Sequence, residues 1–209
     1  MKADRRVKCA TLVLASLVLL FGCMRPTRAD NFETFNLTWS GAFFGNTAVA
    51  TGQITLDTTL LPNPTFSDAG FAFLQPLVQN FSMTVSGASA GNGTFSQGDF
   101  AALLFGTDGA TLDISKELVG QPLPDGGFWG GSFGPFVPGG GADFSLLTNF
   151  SDPATPAQRG PFELVTNNGS GDAINLTSFA PVPEPSSLVL LGIGIAGVTG
   201  YSWRRYRNR

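Results

Sequence analysis

The sequence predicts an all-β protein: an antiparallel β-sandwich or jelly-roll-like domain, flanked by an N-terminal signal helix and a C-terminal transmembrane helix. Three observations predict it. Residues 30–180 alternate apolar side chains with Thr, Asn and Ser at period two, the pattern of half-buried antiparallel strands. Turn clusters separate these runs at Leu61-Pro62-Asn63-Pro64, Ala90-Gly91-Asn92-Gly93 and Asn167–Asp172. Uncharged apolar stretches stand at the two ends, Ala10–Phe21 and Ser186–Trp203.

The N-terminal segment, residues 1–29, begins with Lys2, Arg5, Arg6 and Lys8, runs through 12 uncharged residues and ends Thr27-Arg28-Ala29. A basic start, a short apolar run and small residues before a cut make a secretory signal peptide, with cleavage between Ala29 and Asp30. Such a peptide implies the Sec export machinery as partner. Within it, Leu20-Phe21-Gly22-Cys23 resembles a lipobox, which would make Cys23 a lipidated N-terminus; an uncleaved anchor helix is the other alternative.

The first strand candidate carries Phe35, Leu37, Trp39 and Phe43 on odd positions, and the next carries Ala48, Ala50, Ile54 and Leu56 on even ones. Phe81, Met83 and Val85 alternate with Ser82, Thr84 and Ser86. Phe162–Thr166 and Ala173–Phe179 are shorter candidates. Asp99–Phe105 and Asp143–Leu147 fit a strand or a single helical turn equally. Residues 120–141 hold nine Gly and four Pro, which reads as a long loop, partly mobile, around Phe128 and Trp129.

Charge and composition narrow the chemistry. Between residues 30 and 185 only Lys116 and Arg159 oppose 14 acids, a formal charge of 2 − 14 = −12. Such a surface repels phosphate and argues against nucleic acid as a partner. The chain has no His, its two cysteines are Cys9 and Cys23, and its two tyrosines are Tyr201 and Tyr206. Ser-His-Asp and Cys-His catalysis, His or Cys zinc sites and disulfides are therefore excluded from the middle of the chain. No catalytic residue, no metal site and no cofactor is implied. The 18 Phe residues outside the signal segment read as aromatic packing. Trp39 is expected in the core, and Trp129 is the one aromatic candidate for stacking on sugar. The aspartates, among them Asp57, Asp99, Asp113, Asp125, Asp152 and Asp172, stand at no ligand spacing. Asn167–Asp172 resembles one calcium turn, but Asn and Asp suit a turn without any ion.

The C-terminal segment, residues 181–209, has three parts. Pro181–Pro185 is an extended stretch held by three prolines. Ser186–Trp203 is uncharged, and its 18 residues reach about 27 Å as a helix, enough to span a hydrocarbon core. Residues 204–209 form a basic tail in which Arg204, Arg205, Arg207 and Arg209 act as a cytoplasmic stop.

Pro183-Glu184-Pro185, the apolar stretch and the Arg-rich end together resemble the PEP-CTERM sorting signal of bacteria. The resemblance implies that Pro183, Glu184 and Pro185 are recognised by an exosortase, a membrane-embedded cysteine transpeptidase that releases such proteins outward. It further implies a single-pass inner-membrane intermediate, then cell-surface or extracellular localisation, and association with exopolysaccharide, biofilm and floc matrix. Six Asn-x-Ser/Thr triplets, at Asn36, Asn80, Asn92, Asn149, Asn168 and Asn175, read beside a bacterial signal as polar surface rather than glycosylation acceptors.

The expected function is thus a non-enzymatic, exosortase-sorted surface or matrix protein. A carbohydrate-binding module is the alternative, and a carboxylate-only glycan hydrolase a further one. Ice binding, found with similar C-terminal signals, needs flat Thr arrays on successive strands. Thr51, Thr55, Thr58 and Thr59 form no regular row along the sequence.

Overall fold

The structure is a computed structural model. It describes residues 31–66, 69–73, 76–130, 142–149 and 152–183, together with Gly194. The chain divides into two units, Met1–Asn31 and Phe32–Arg209, and the second holds nearly all the described residues. The expected signal peptide, with Cys9, Cys23 and the expected cleavage residues Ala29 and Asp30, and the C-terminal residues from Glu184 lie outside the described residues, Gly194 excepted. Among the described residues no helix is long and apolar enough to cross a membrane.

The described domain is all-β, in antiparallel sheets. Its strands are β1 (Phe32–Ser40), β2 (Val49–Asp57), β3 (Ala69–Ala72), β4 (Val78–Ser86), β5 (Gly93–Ser96), β6 (Phe100–Thr107), β7 (Ala142–Thr148), β8 (Ala157–Gly160), β9 (Glu163–Val165) and β10 (Ala173–Pro181). Seven form one sheet in the order β5-β4-β2-β1-β10-β9-β8, and three form a second in the order β3-β6-β7. The first and last strands are neighbours, so the larger sheet closes only when the C-terminal end of the domain is in place.

Period-two alternation builds the core. Phe35, Leu37 and Trp39 on β1, Ala50, Ile54 and Leu56 on β2, and Phe81, Met83 and Val85 on β4 are all buried. Their rings meet those of the smaller sheet. Trp39 lies 6.4 Å from Phe144, and Phe81 lies 5.1 Å edge-on from Phe100. Offset and edge-on aromatic packing of this kind adds to area burial. Phe43 departs from the alternation. β1 ends at Ser40, and Phe43 falls in the single 3₁₀ turn Ala42–Phe44, where it is 63% exposed.

The two ambiguous segments are the strands β6 and β7, paired with each other. All seven residues of β7 are buried or half-buried, four of them buried in a row, so both its faces are covered and no period-two signal survives.

The glycine-rich loop is ordered in its first half. Trp129 N–H donates to Gln121 O at 2.8 Å, Gly120 N–H to Trp129 O at 2.7 Å and Leu123 N–H to Gly127 O at 2.9 Å. Within the predicted long loop, these bonds close residues 120–129 into a compact hook. Residues 131–141 lie outside the described residues.

The outward face of the larger sheet is polar. Strand register aligns its side chains in rows: Thr94–Thr84–Thr51–Thr38–Ser178, then Ser96–Ser82–Gln53–Asn36, then Asn80–Thr55–Thr34. Thr51 and Thr55 thus belong to two regular rows that run across strands rather than along them, which corrects the sequence expectation.

Candidate functional site

The C-terminal end of β10 is where folded domain and sorting segment meet. Phe35 faces Pro181 in the β1–β10 register, and the next rung is Val182 N–H donating to Thr34 O at 2.7 Å. Pro181 and Val182 are half-buried, whereas Pro183 is exposed. Pro181 has no N–H, so it suits a strand end, where one missing donor costs little. The fold therefore holds the chain through Val182 and lets go at Pro183.

A clasp secures the other edge of β10. β9 pairs only with Ala173–Asn175, which leaves the remainder of that edge to the loop at 117–119. The Glu117 carboxylate accepts from Phe179 N–H and Val119 N–H with one oxygen, at 2.5 and 3.0 Å, and from Ser178 Oγ with the other at 2.6 Å. Leu118 N–H donates to Phe179 O at 3.0 Å. Phe179 itself is buried, with ring centroids 4.9 Å from Phe35 and 4.9 Å from Phe144. A charged acceptor for backbone donors is stronger than a neutral one. Nothing in the local sequence around Glu117 pointed to this role, because Ser178 and Phe179 lie some 60 residues on.

Trp129 is not a stacking platform. Its relative exposure is 0%, so neither ring face reaches solvent. Its Nε1–H donates to Gly106 O at 2.9 Å, and its ring packs on Phe105, Phe144, Phe162 and Phe179 at 5.0–6.3 Å. The assignment of Trp129 to sugar stacking is corrected. Its hook delivers the indole into the core, where it joins both sheets, and Phe128 beside it takes the exposed position.

The aspartates serve turns. Asp57, Asp113, Asp125 and Asp152 each accept from the backbone N–H two residues on, from Thr59, Ser115, Gly127 and Ala154 respectively. This is the Asx turn, which fixes a loop without any ligand. Asp99 accepts from Ser96 N–H and closes a capping box. Hydrogen bonds from Lys116 and then Ser115 hold the Asp113 carboxyl down at about 2, and Lys116 is raised in return. Asp172 is lowered by the hydrogen bond from Ser89 N–H.

The Asn167–Asp172 turn spends its polar groups on protein partners: Thr166 N–H donates to Asp172 O, Asp172 N–H to Thr166 Oγ1 and Asn168 N–H to Thr155 O, and the Asp172 carboxylate accepts from Ser89 N–H. Asn167 and Asn168 stand at φ 51° and 50°, a left-handed conformation that Asn tolerates. Gly91 at φ 77° passes so close that a Cβ would run into the Asn167 backbone nitrogen. Among the described residues no three of His, Cys, Asp and Glu gather in a group that could hold a metal ion.

The chain beyond β10 carries the deciding likeness. Residues 181–206 match the PEP-CTERM protein-sorting motif. The PEP-CTERM motif begins at Pro181, so two of its residues belong to the β1–β10 ladder described above. It marks the chain as carrying the signal of exported, exosortase-sorted proteins. Of its expected recognition residues Pro183 is described and exposed, while Glu184, Pro185, Arg204, Arg205, Arg207 and Arg209 lie outside the described residues. Comparison with curated proteins and with solved structures gives no match.

Proposed function

We propose that the chain is a non-catalytic matrix or surface protein whose β-domain is exported through the Sec machinery, held by one C-terminal span, and released by an exosortase. The PEP-CTERM match at residues 181–206 is the single observation that carries this reading. The basic N-terminal segment supports Sec export, and Arg204, Arg205, Arg207 and Arg209 support a cytoplasmic tail, because moving guanidinium groups across a bilayer is costly.

The placement of the motif suits release of a finished domain. Only Pro183, Glu184 and Pro185 separate the last ladder residue from Ser186, a length of at most about 10 Å. The folded sheet would then sit at the membrane boundary, and Pro183, the first of the residues the transpeptidase would recognise, is exposed. The lack of catalysis is supported by the absence of His, Cys and Tyr from residues 30–180 and by the engagement of Asp57, Asp99, Asp113, Asp125, Asp152 and Asp172 in turns. Association with exopolysaccharide or biofilm follows from the kind of protein that carries such signals.

The test is fractionation of the native host. Pro183→Ala with Glu184→Ala leaves the apolar stretch and basic tail intact, so the expected result is insertion without release. Unimpaired release of that variant overturns the reading.

A further inference from the structure

We propose that the outward face of the seven-stranded sheet binds a neutral, hydroxyl-rich polysaccharide chain, laid along the row Thr94–Thr84–Thr51–Thr38–Ser178. The proposal deepens the matrix reading and rests on it only for where such a polymer is met. Charge is the first argument. The segment from residue 30 to 185 carries −12, yet no residue of this row or of the two rows beside it is charged; the row ends at Ser178, whose hydroxyl is already given to the Glu117 carboxylate. A face without cations has nothing to pair with an anionic polymer, and the surrounding acids repel one. A neutral partner pays no such cost.

Chemistry is the second argument. Hydroxyl and amide side chains both donate and accept, which matches a glycan whose every hydroxyl does the same. Neighbouring side chains already hold one another in place: Thr84 and Thr94 share a hydrogen bond at 3.0 Å, Thr34 and Thr55 one at 2.8 Å, and Gln53 Nε2 donates to Asn36 Oδ1 at 2.9 Å. Rotamers fixed before binding need not be frozen on binding.

Geometry selects a chain over a crystal. Strands lie about 4.8 Å apart, so a five-strand row extends about 19 Å, the reach of several sugar rings. Sheet twist of about 20–25° per strand turns the row through about 80–100°. A rigid lattice plane such as ice cannot follow that turn, whereas a flexible polymer can. No exposed aromatic stands in the row, so each contact is weak and binding depends on many repeats along one chain.

The experiment uses the full chain purified in detergent, with cellulose and a soluble β-1,3-glucan as neutral probes and polygalacturonate as the anionic one. Saturable binding to at least one neutral probe is expected, unchanged between 50 and 500 mM salt because the probe carries no charge. The triple variant T38V/T51V/T84V keeps shape and strand propensity while removing three hydroxyls, and is expected to weaken binding about tenfold or more. Thr59→Val, off the face, is expected to bind as the native chain does, and unchanged melting of the triple variant shows that it folds. No binding to either neutral probe, binding only to polygalacturonate, a triple variant that binds normally, or thermal hysteresis of ice each overturns the proposal. None of these depends on processing, so failure here is distinct from failure of the sorting reading, which shows as blocked or unblocked release in cells.

Discussion

Replacing Trp129 separates a packing role from a ligand role. The indole is fully enclosed, touches four aromatic rings and donates to a buried backbone carbonyl at Gly106. Trp129→Ala removes the ring, at about 3–5 kcal/mol for a large aromatic in a core. It also removes the Nε1–H hydrogen bond to the buried Gly106 carbonyl, at about 0.5–1.5 kcal/mol. Domains of this size are stable by about 5–15 kcal/mol in all, so the variant sits near or below the folding threshold. Trp129→Phe restores most of the ring contacts and loses the hydrogen bond, so its expected cost is about 2–3 kcal/mol. Equilibrium urea unfolding followed by circular dichroism measures both. The expected order of midpoints is native, then Trp129→Phe, then Trp129→Ala, with near-equal slopes. A Trp129→Ala variant that unfolds at the native midpoint would refute the packing account, and loss of glycan binding in that folded variant would restore the stacking role.

Three further outcomes follow from the geometry. Glu117→Ala unpairs Phe179 N–H and Val119 N–H and frees the edge of β10; a loss of about 1–3 kcal/mol in the same urea assay is expected, together with faster amide exchange at Phe179. Asp113 and Asp172 have folded-state pKa values below the ordinary 3.8, so their contribution is present above that value and is lost as pH falls through the folded values, about 2 for Asp113. The double variant Asp113→Asn, Asp172→Asn is expected to show a smaller drop in melting temperature between pH 4 and pH 2 than the native chain. Because Cys9 and Cys23 are the only cysteines, the released domain is expected to migrate identically with and without reductant; a reductant-sensitive dimer would show that Cys23 is retained.

Much of the fold was legible because period two survives wherever one sheet face is wet. β1, β2, β4 and β10 could be read directly from alternating Phe, Leu, Ile or Val and Thr, Asn or Ser. β7 could not, since enclosure on both faces erases the alternation, and β6 could not because Ala and Leu stand on its less buried positions as well as its buried ones. The short strands β3, β5 and β8, four residues each, carry too little sequence to show a period. The rows of hydroxyls were hidden for a different reason. Thr38, Thr51, Thr84 and Thr94 are far apart along the chain, and only the strand register brings them side by side. Trp129 misled because a Gly- and Pro-rich neighbourhood suggests an exposed loop, while backbone bonds to Gln121 and Gly120 turn that loop inward. The Pro-Glu-Pro segment, the apolar stretch and the basic tail needed no fold to be recognised, since their meaning lies in order and composition.

The central claim is that the PEP-CTERM motif is used, and that the fold decides how much chain stays with the released domain. Intact mass and C-terminal sequencing of the protein recovered from host medium or surface test it most directly. Pairing of Pro181 and Val182 with β1 protects the chain up to Val182, so the account predicts a C-terminus beyond Val182 and without Arg204–Arg209. A protein ending at Arg209 in cells with a working exosortase, or one ending within Ala173–Pro181, would contradict it.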